Sequence, residues 1–435
     1  MSMVKLNVLK IDGNSDYAIE LEPRATLAKL WAQIGDKENC DTCLISLLKQ
    51  NEFLDSFSKA SPIFECGIVD GDTLTLVKKP APKILSCSFD NTAKLWNGLT
   101  GECLCTLELR FDRVSTGRFS EDGKWVLTVS RYEARVWDAF TGELKSILAA
   151  QEGTALLSAM FSTDACQILT PCTDNTVTIW ETETGERKLT LFGHRASVRA
   201  AIFSRDGTKV VTASEDNKIK IWNPITGSCT LSLSKWSFFQ WGSFLSPDGN
   251  YIVTRKRRRV NNHIWCMYIL NADDGSCEQI IKGHDDRINS GMFSNDNTYL
   301  VSASQDGTAK VWNVSTGCIQ LVLSGHEEAV HFAQFFPDGS AILTVGLDGT
   351  VKIWDTVIGV CKHSLTTRKN PYPWPLQFAA LSSDGAFVVT VMSGNYTAIA
   401  TWDSFTGECK AMLIGHRSVV ASVSFSPVGV VPCTA

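Results

Sequence analysis

Three stretches of this chain are close to one sentence written three times: "KILSCSFDNTAKLWNGLTGEC" at 83–103, "KVVTASEDNKIKIWNPITGSC" at 209–229 and "YLVSASQDGTAKVWNVSTGC" at 299–318. Such a repeat constrains the fold more than any other feature, because each copy is one supersecondary unit that must bury its face against its neighbours. Aligned at one column, the copies put Trp96, Trp137, Trp180, Trp222, Leu270, Trp312, Trp354 and Trp402 in register, about 42 residues apart with two gaps of 48. Each unit holds alternating β-rich runs broken by turn dipeptides, for example Asp206-Gly207, Asp248-Gly249, Asp338-Gly339 and Asp384-Gly385. The pattern predicts four short antiparallel strands per unit, here lettered a to d.

Composition narrows the class. A chain of 435 residues that is 44% hydrophobic can bury a large core. Its net charge of −5 excludes a surface built throughout to coat nucleic acid, so any basic site must be local. No run reaches the roughly 18–20 apolar residues of a membrane span, and the opening "MSMVKLNVLKIDG" lacks a charged segment followed by a long apolar one. The expectation is a soluble cytoplasmic protein, with the nucleus as the alternative. Fifteen cysteines, an odd number scattered over this length, suit reduced thiols. Six of them, Cys103, Cys229, Cys277, Cys318, Cys361 and Cys409, recur at one site of the repeat, which predicts a small buried hydrophobe in a strand.

The units "GHRASVRAAIFSRDGTKVVTASEDNKIKIWN" and "GHDDRINSGMFSNDNTYLVSASQDGTAKVWN" resemble WD40 repeats, a family that folds as a β-propeller, and the resemblance covers the chain from the first repeat onward. It implies a mainly β chain with an eight-bladed propeller, seven being the alternative count. It also implies a buried hydrogen-bonded tetrad in each full unit. Carried over, His194, Asp216 and Trp222 join Thr212 or Ser214; His284, Asp306 and Trp312 join Ser302 or Ser304; His326, Asp348 and Trp354 join Thr344. Trp only donates and Asp only accepts, and an unpaired buried polar group costs about 1–3 kcal/mol. The first unit lacks its Gly-His and strand a, while the chain ends in "GHRSVVASVSFSP". The two fragments complete each other, so His416 is expected to join Ser86 or Ser88, Asp90 and Trp96 and to close the ring. The second, third, fifth and eighth units lack Gly-His, and the second has "RYEAR" in place of the b–c Asp.

Residues 1–79 stand outside the repeat. "VKLNVLKIDGNSDYAIELEP" reads as a hairpin turning near Gly13, and "RATLAKLWAQIGDKE" as an amphipathic helix with Leu27, Leu30, Trp31 and Ile34 on one face. "ISLLKQNEFLD" and "GDTLTLVKK" add strands. The order resembles a small α+β ubiquitin-like β-grasp domain, which places Leu48, Thr75 and Val77 at the recognition patch of that fold. The segment runs on without a terminal Gly-Gly, so it is not expected to be a conjugated modifier. The domain reading is thus 1–79 ubiquitin-like, 80–83 a short linker and 84–435 the propeller.

Other motifs carry less. "HEEAVH" at 326–331 spaces His326 and His331 five apart instead of the four that a zinc protease helix needs, and "CDTC" at 40–43 has no second pair. No phosphate loop, nucleophile elbow or paired-acid motif stands out, so the chain is expected to be no enzyme, with no cofactor, metal or small-molecule substrate. The exception in an acidic chain is "RKRRR" at 255–259. Thr254 aligns with Thr212 on strand b, and six extra residues follow before strand c, which makes the run an elongated b–c hairpin. A long d–a loop, "TTRKNPYPWPL" at 366–376, and a long b–c turn, "MSGNY" at 392–396, would open on the same face of a propeller of this family. Loops on a rigid scaffold are where binding concentrates. The candidate partner-binding residues are therefore Arg255, Lys256, Arg257, Arg258, Arg259, Tyr372, Trp374 and Tyr396. An acidic protein is favoured over nucleic acid, since aromatic residues interleaved with the basic ones are missing. The expected function is a protein-interaction scaffold, the alternative a substrate-receptor adaptor in the ubiquitin or proteasome pathway.

Overall fold

The computed structural model describes residues 4–10, 17–22, 24–38, 45–49, 52–54, 62–78, 80–109, 113–234, 245–255, 265–366, 376–392 and 398–427. Contacts divide the chain into two units near Ala81 and Pro82.

In the N-terminal unit, β1 (Val4–Lys10) pairs antiparallel with β2 (Tyr17–Leu21), and α1 (Leu27–Glu38) follows. Strands β3 (Ile45–Lys49), β4 (Glu52–Phe53) and β5 (Thr73–Lys78) complete one sheet in the order β2-β1-β5-β3-β4, with β1 and β5 parallel. The helix faces its periodic apolar stripe inward: Leu27, Leu30, Trp31 and Ile34 pack with Leu6, Val8, Ile19, Leu74 and Leu76. Leu48 pairs in register with Thr75, and Ser46 with Val77.

The second unit consists of consecutive sheets. Among the described residues there are eight, seven of four strands and one of three. The fourth sheet is representative, with order Val198–Phe203, Val210–Ser214, Lys218–Trp222 and Cys229–Ser234. The fifth holds Tyr251–Arg255, Trp265–Asn271 and Cys277–His284, and Leu245 bridges Ile252 on its inner side. The first sheet is composite: Val420–Phe425 pairs with Lys83–Ser88, followed by Thr92–Asn97 and Cys103–Glu108.

No single sheet owns a core; each apolar cluster of this unit lies between two sheets. Trp222 packs with Leu169, Val177 and Ile179 of the third sheet, and Trp312 with Val253, Met267 and Ile269 of the fifth. Trp354 does the same against Val301 and Val311 of the sixth. The recurring Trp is thus the apolar joint to the preceding sheet. Leu270 serves that joint in the fifth sheet, packing with Val211, Ile219 and Ile221, so a smaller apolar residue is tolerated there. The last cluster joins the ends of the series, with Ile84 and Trp96 of the first sheet against Val389, Ile399 and Leu413 of the eighth. The series is mainly β and consistent with a β-propeller.

The six recurrent cysteines correct a sequence expectation. Cys103, Cys229, Cys277, Cys318 and Cys409 are exposed and Cys361 is half-buried. Five of them stand at the start of the outermost strand d, opposite the Trp column, and Cys318 lies one residue before it; Cys103 pairs with Trp96, Cys229 with Trp222 and Cys409 with Trp402, each at a register shift. The edge strand has one face on the preceding strand and the other in solvent, so apolar character there does not imply burial.

Candidate partner-binding face

The structure brings four Trp, hydroxyl, His and Asp sets together. In the fourth sheet Trp222 Nε1 donates to Thr212 Oγ1 at 2.8 Å, which lies 2.8 Å from His194 Nε2, while His194 Nδ1 lies 2.9 Å from Asp216 Oδ2. In the sixth, Trp312 meets Ser302 at 2.7 Å, His284 meets Ser302 at 2.7 Å, and His284 meets Asp306 at 2.7 Å. In the seventh, Trp354, Thr344, His326 and Asp348 link at 2.7, 2.8 and 2.9 Å. In the first, Trp96 donates to Ser86 at 2.7 Å, Ser86 lies 2.7 Å from His416 Nε2, and His416 Nδ1 lies 2.9 Å from Asp90. The ends of each chain fix its direction. The indole N–H donates to the hydroxyl, and Nδ1–H donates to the carboxylate, which can only accept. In His194, His326 and His416 burial favours the neutral ring, which leaves Nε2 to accept from the hydroxyl.

The other hydroxyls that sequence left open take a different role. Ser214, Ser304 and Ser88 accept the backbone N–H of Asp216, Asp306 and Asp90 and donate to carbonyls of the loop before strand a. Two residues along the strand, they sit where the b–c turn begins. The glycine before each His is explained by the indole. A Cβ on Gly283 or Gly415 would come within 3.2 Å of the Trp312 ring or 3.1 Å of the Trp96 ring, and both glycines have positive φ.

These sets determine a face. Asp216 belongs to the b–c turn, yet its Oδ2 also accepts the Arg195 N–H of the loop before strand a at 3.0 Å; Asp306, Asp348 and Asp90 hold Asp285, Glu327 and Arg417 alike. One carboxylate ties together the two loops that open at the same end of a sheet. Three sheets without the His keep half of the device: Trp137, Trp180 and Trp402 donate to Thr128, Thr170 and Thr390 at 2.8, 2.6 and 2.9 Å. Sequence reading passed over these threonines, although a Thr nine to twelve residues before each Trp was the available signal.

At this end, strand a carries a one-residue bulge. The register skips at Arg199 in the fourth sheet, Asn289 in the sixth and His331 in the seventh. Bulges re-aim side chains and recur beside functional sites. Arg199 forms an ion pair with Glu215, and the Asn289 amide donates to Val330 O at 2.8 Å. Burial depresses His331, and Arg287 adds to the shift.

The "RKRRR" run divides. Arg255 is the last residue of strand Tyr251–Arg255, and its Nη1 donates to Ile288 O of the next sheet at 2.7 Å. Burial lowers its pKa, and Arg287 lowers it further. Arg255 is therefore part of an inter-sheet joint and not the hairpin tip. Lys256, Arg257, Arg258, Arg259, Tyr372, Trp374 and Tyr396 lie outside the described residues, as do Cys40 and Cys43. His326 is engaged by Thr344 and Asp348. Among the described residues no group of three His, Cys, Asp or Glu could hold a metal ion, and no helix is long and apolar enough to cross a membrane.

A family model described as "WD domain, G-beta repeat" matches residues 185–223, 275–313 and 317–355. Each match contains one whole Trp, hydroxyl, His and Asp set; the fourth, split between the two ends of the chain, cannot be matched as one stretch. The structure is similar to the crystal structure of the C-terminal WD40 domain of Sif2, at 17% identity and TM-score 0.57, covering 68% of this chain and 82% of that one. It is also similar to the computationally designed Ika8 protein, at 24% identity and TM-score 0.57, covering 71% of this chain and 89% of that one. No curated protein matches. The repeat matches support a WD40 family, and the two structural likenesses bear on the fold alone.

Proposed function

We propose that this chain is a non-enzymatic protein-interaction scaffold, an eight-bladed WD40 propeller following a ubiquitin-like β-grasp unit. WD40 domains generally act as protein-interaction scaffolds and generally lack enzymatic activity. The eight consecutive sheets and their ring of inter-sheet clusters support the blade count. The sheet order β2-β1-β5-β3-β4 with one packed helix supports the β-grasp reading.

The observation that carries the functional reading is a pair of arginines on the loop-bearing face, where Arg287 acts electrostatically on Arg255, whose Nη1 donates to Ile288 O. Lys256 to Arg259 follow Arg255 directly in sequence. Like charges held together by the scaffold favour an acidic protein partner. The test is affinity capture from cytoplasmic and nuclear fractions with quantitative mass spectrometry, comparing the intact chain with a variant in which Lys256, Arg257, Arg258 and Arg259 are serine. Arg255 is kept, because it belongs to a joint. Loss of a discrete, salt-sensitive set of acidic partners is expected at unchanged thermal stability; an unchanged set would overturn the reading.

A second reading, a substrate-receptor adaptor in the ubiquitin or proteasome pathway, draws on the β-grasp topology alone. The strings "WDAF", "WDTV" and "WDSF" lack the Arg that often accompanies docking on a cullin-4 adaptor. Deleting residues 1–79 would remove ubiquitin-pathway partners if this reading holds, and leave them if it fails.

A further inference from the structure

The innermost strands arrange equivalent residues in rings. Phe119, Phe161, Phe203 and Phe293 occupy one ring, each paired with the strand b residue that in turn faces the Trp column. One step earlier on the same strands come Arg118, Met160, Ile202 and Met292, with Gln334 and Ser424 at the same step of the seventh and first sheets. A cavity of about 630 Å³ opens here, lined by Arg118, Phe119, Met160, Phe161, Ile202 and Met292 among others. It lies at the a–b turn end, opposite the face described above.

Arg118 is the anomaly in this apolar wall. It makes no hydrogen bond, ion pair or ring contact with the described residues, and its Nε is buried without a partner. Burial lowers its pKa with no carboxylate opposing the shift. Ser424 Oγ, at the same step of the adjacent sheet, is a second buried polar atom without a partner. Glu121 also lines the cavity, but its charge interaction is with Arg205. Arg118 keeps part of its surface exposed while its Nε is shut off, and a guanidinium stays protonated, so an anion that pairs with it is favoured. An arginine on the wall of a cavity, with no partner among the described residues, is thus a receptor for an anion. The apolar ring selects what carries it, and one cation balances one negative charge. The volume falls within the range of small-molecule sites, roughly 300–1,000 Å³.

We propose that this cavity binds a small monocarboxylate with an apolar body, the carboxylate forked on Arg118 and the body against the Phe, Met and Ile side chains. Guanidinium and carboxylate match as a planar bidentate pair. The site is independent of the partner reading above, since it lies on the other face.

The experiment is isothermal titration calorimetry on the full chain with 4-phenylbutyrate, with 4-phenylbutanol as the neutral counterpart and inorganic phosphate as the compact dianion. One-site binding of phenylbutyrate alone is expected, weakened at least tenfold by Arg118→Met. A second variant, Met160→Glu, puts a carboxylate in the ring beside Arg118 and should also weaken binding at least tenfold, so a failure of Arg118→Met to fold leaves the proposal open to refutation. Absence of phenylbutyrate binding, equal binding of the alcohol, tighter binding of phosphate, or unchanged affinity in the folded variants would each overturn it.

Discussion

Ser86 and His416 are 330 residues apart in the chain and 2.7 Å apart in space. Around this contact the last strand, Val420–Phe425, pairs with Lys83–Ser88, and the Arg417 N–H reaches Asp90 Oδ2 at 2.8 Å. The first sheet is thus assembled by hydrogen bonds between the two ends of the repeat region.

Closure can be dissected in two steps. His416→Ala leaves the Ser86 hydroxyl and the Asp90 carboxylate short of a partner and should cost about 1–3 kcal/mol. Truncation before Gly415 strips a whole strand and leaves Lys83–Ser88 as an open edge, which should cost far more and promote association. Urea midpoints and size-exclusion profiles check both. A truncated chain as stable as His416→Ala would contradict closure by the terminal strand.

The two hydroxyls of strand b should not be equivalent. Thr212→Val orphans the Trp222 indole and His194 Nε2 together, whereas Ser214→Ala releases only the Asp216 N–H and the Ala196 carbonyl. The first should cost about 1–3 kcal/mol and the second about 0.5–1.5 kcal/mol. Matched equilibrium unfolding of the two variants measures the difference, and a larger loss for Ser214→Ala would reverse the assignment.

Stability should depend on pH in two stages. Burial holds His194, His326 and His416 below the ordinary imidazole value, and their Asp partners offset part of that effect. The unfolded chain then binds these protons more readily. The contribution of the neutral tetrads is complete above about pH 6.5 and is lost as pH falls through the folded values. Burial alone would raise Asp90, but hydrogen bonds from Thr92, the Arg417 N–H and His416 bring it down to about 2. Asp216, Asp306 and Asp348 are lowered as well. That second contribution is complete above the ordinary carboxylate value near 3.9 and lost below it. Denaturation midpoints from pH 8 to pH 3 test this; a flat profile from about pH 7 to 5 would exclude the histidine stage.

The thiols should separate by position. Burial pushes Cys87 and Cys172 up to about 12, and Cys66 and Cys266 are also buried, while Cys103, Cys229, Cys277, Cys318 and Cys409 are exposed. Brief iodoacetamide labelling of the native chain followed by peptide mass spectrometry should mark the exposed set and spare Cys87 and Cys172. Labelling of Cys87 at the rate of Cys103 would refute the described core.

Much of this was legible in the residues alone. The helix stripe of Leu27, Leu30, Trp31 and Ile34 follows from a period of 3.6, and the repeat's strands from turn dipeptides, because both signals are local. The repeat also named the polar sets, since a buried indole N–H, a hydroxyl, an imidazole and a carboxylate at fixed spacing have few ways to satisfy one another. Sequence could not choose between Thr212 and Ser214: alternation puts both on one strand face, and only the depth of the b–c turn separates them. It misjudged the recurrent cysteines, because apolar character does not reveal that strand d is an edge. It gave no sign that Arg118 stands among Phe, Met and Ile, since that ring is assembled from strands in different sheets. Period and chemistry along the chain determined the units and their internal bonds; the packing of one sheet on the next decided which of their faces are buried and which charges are left without a partner.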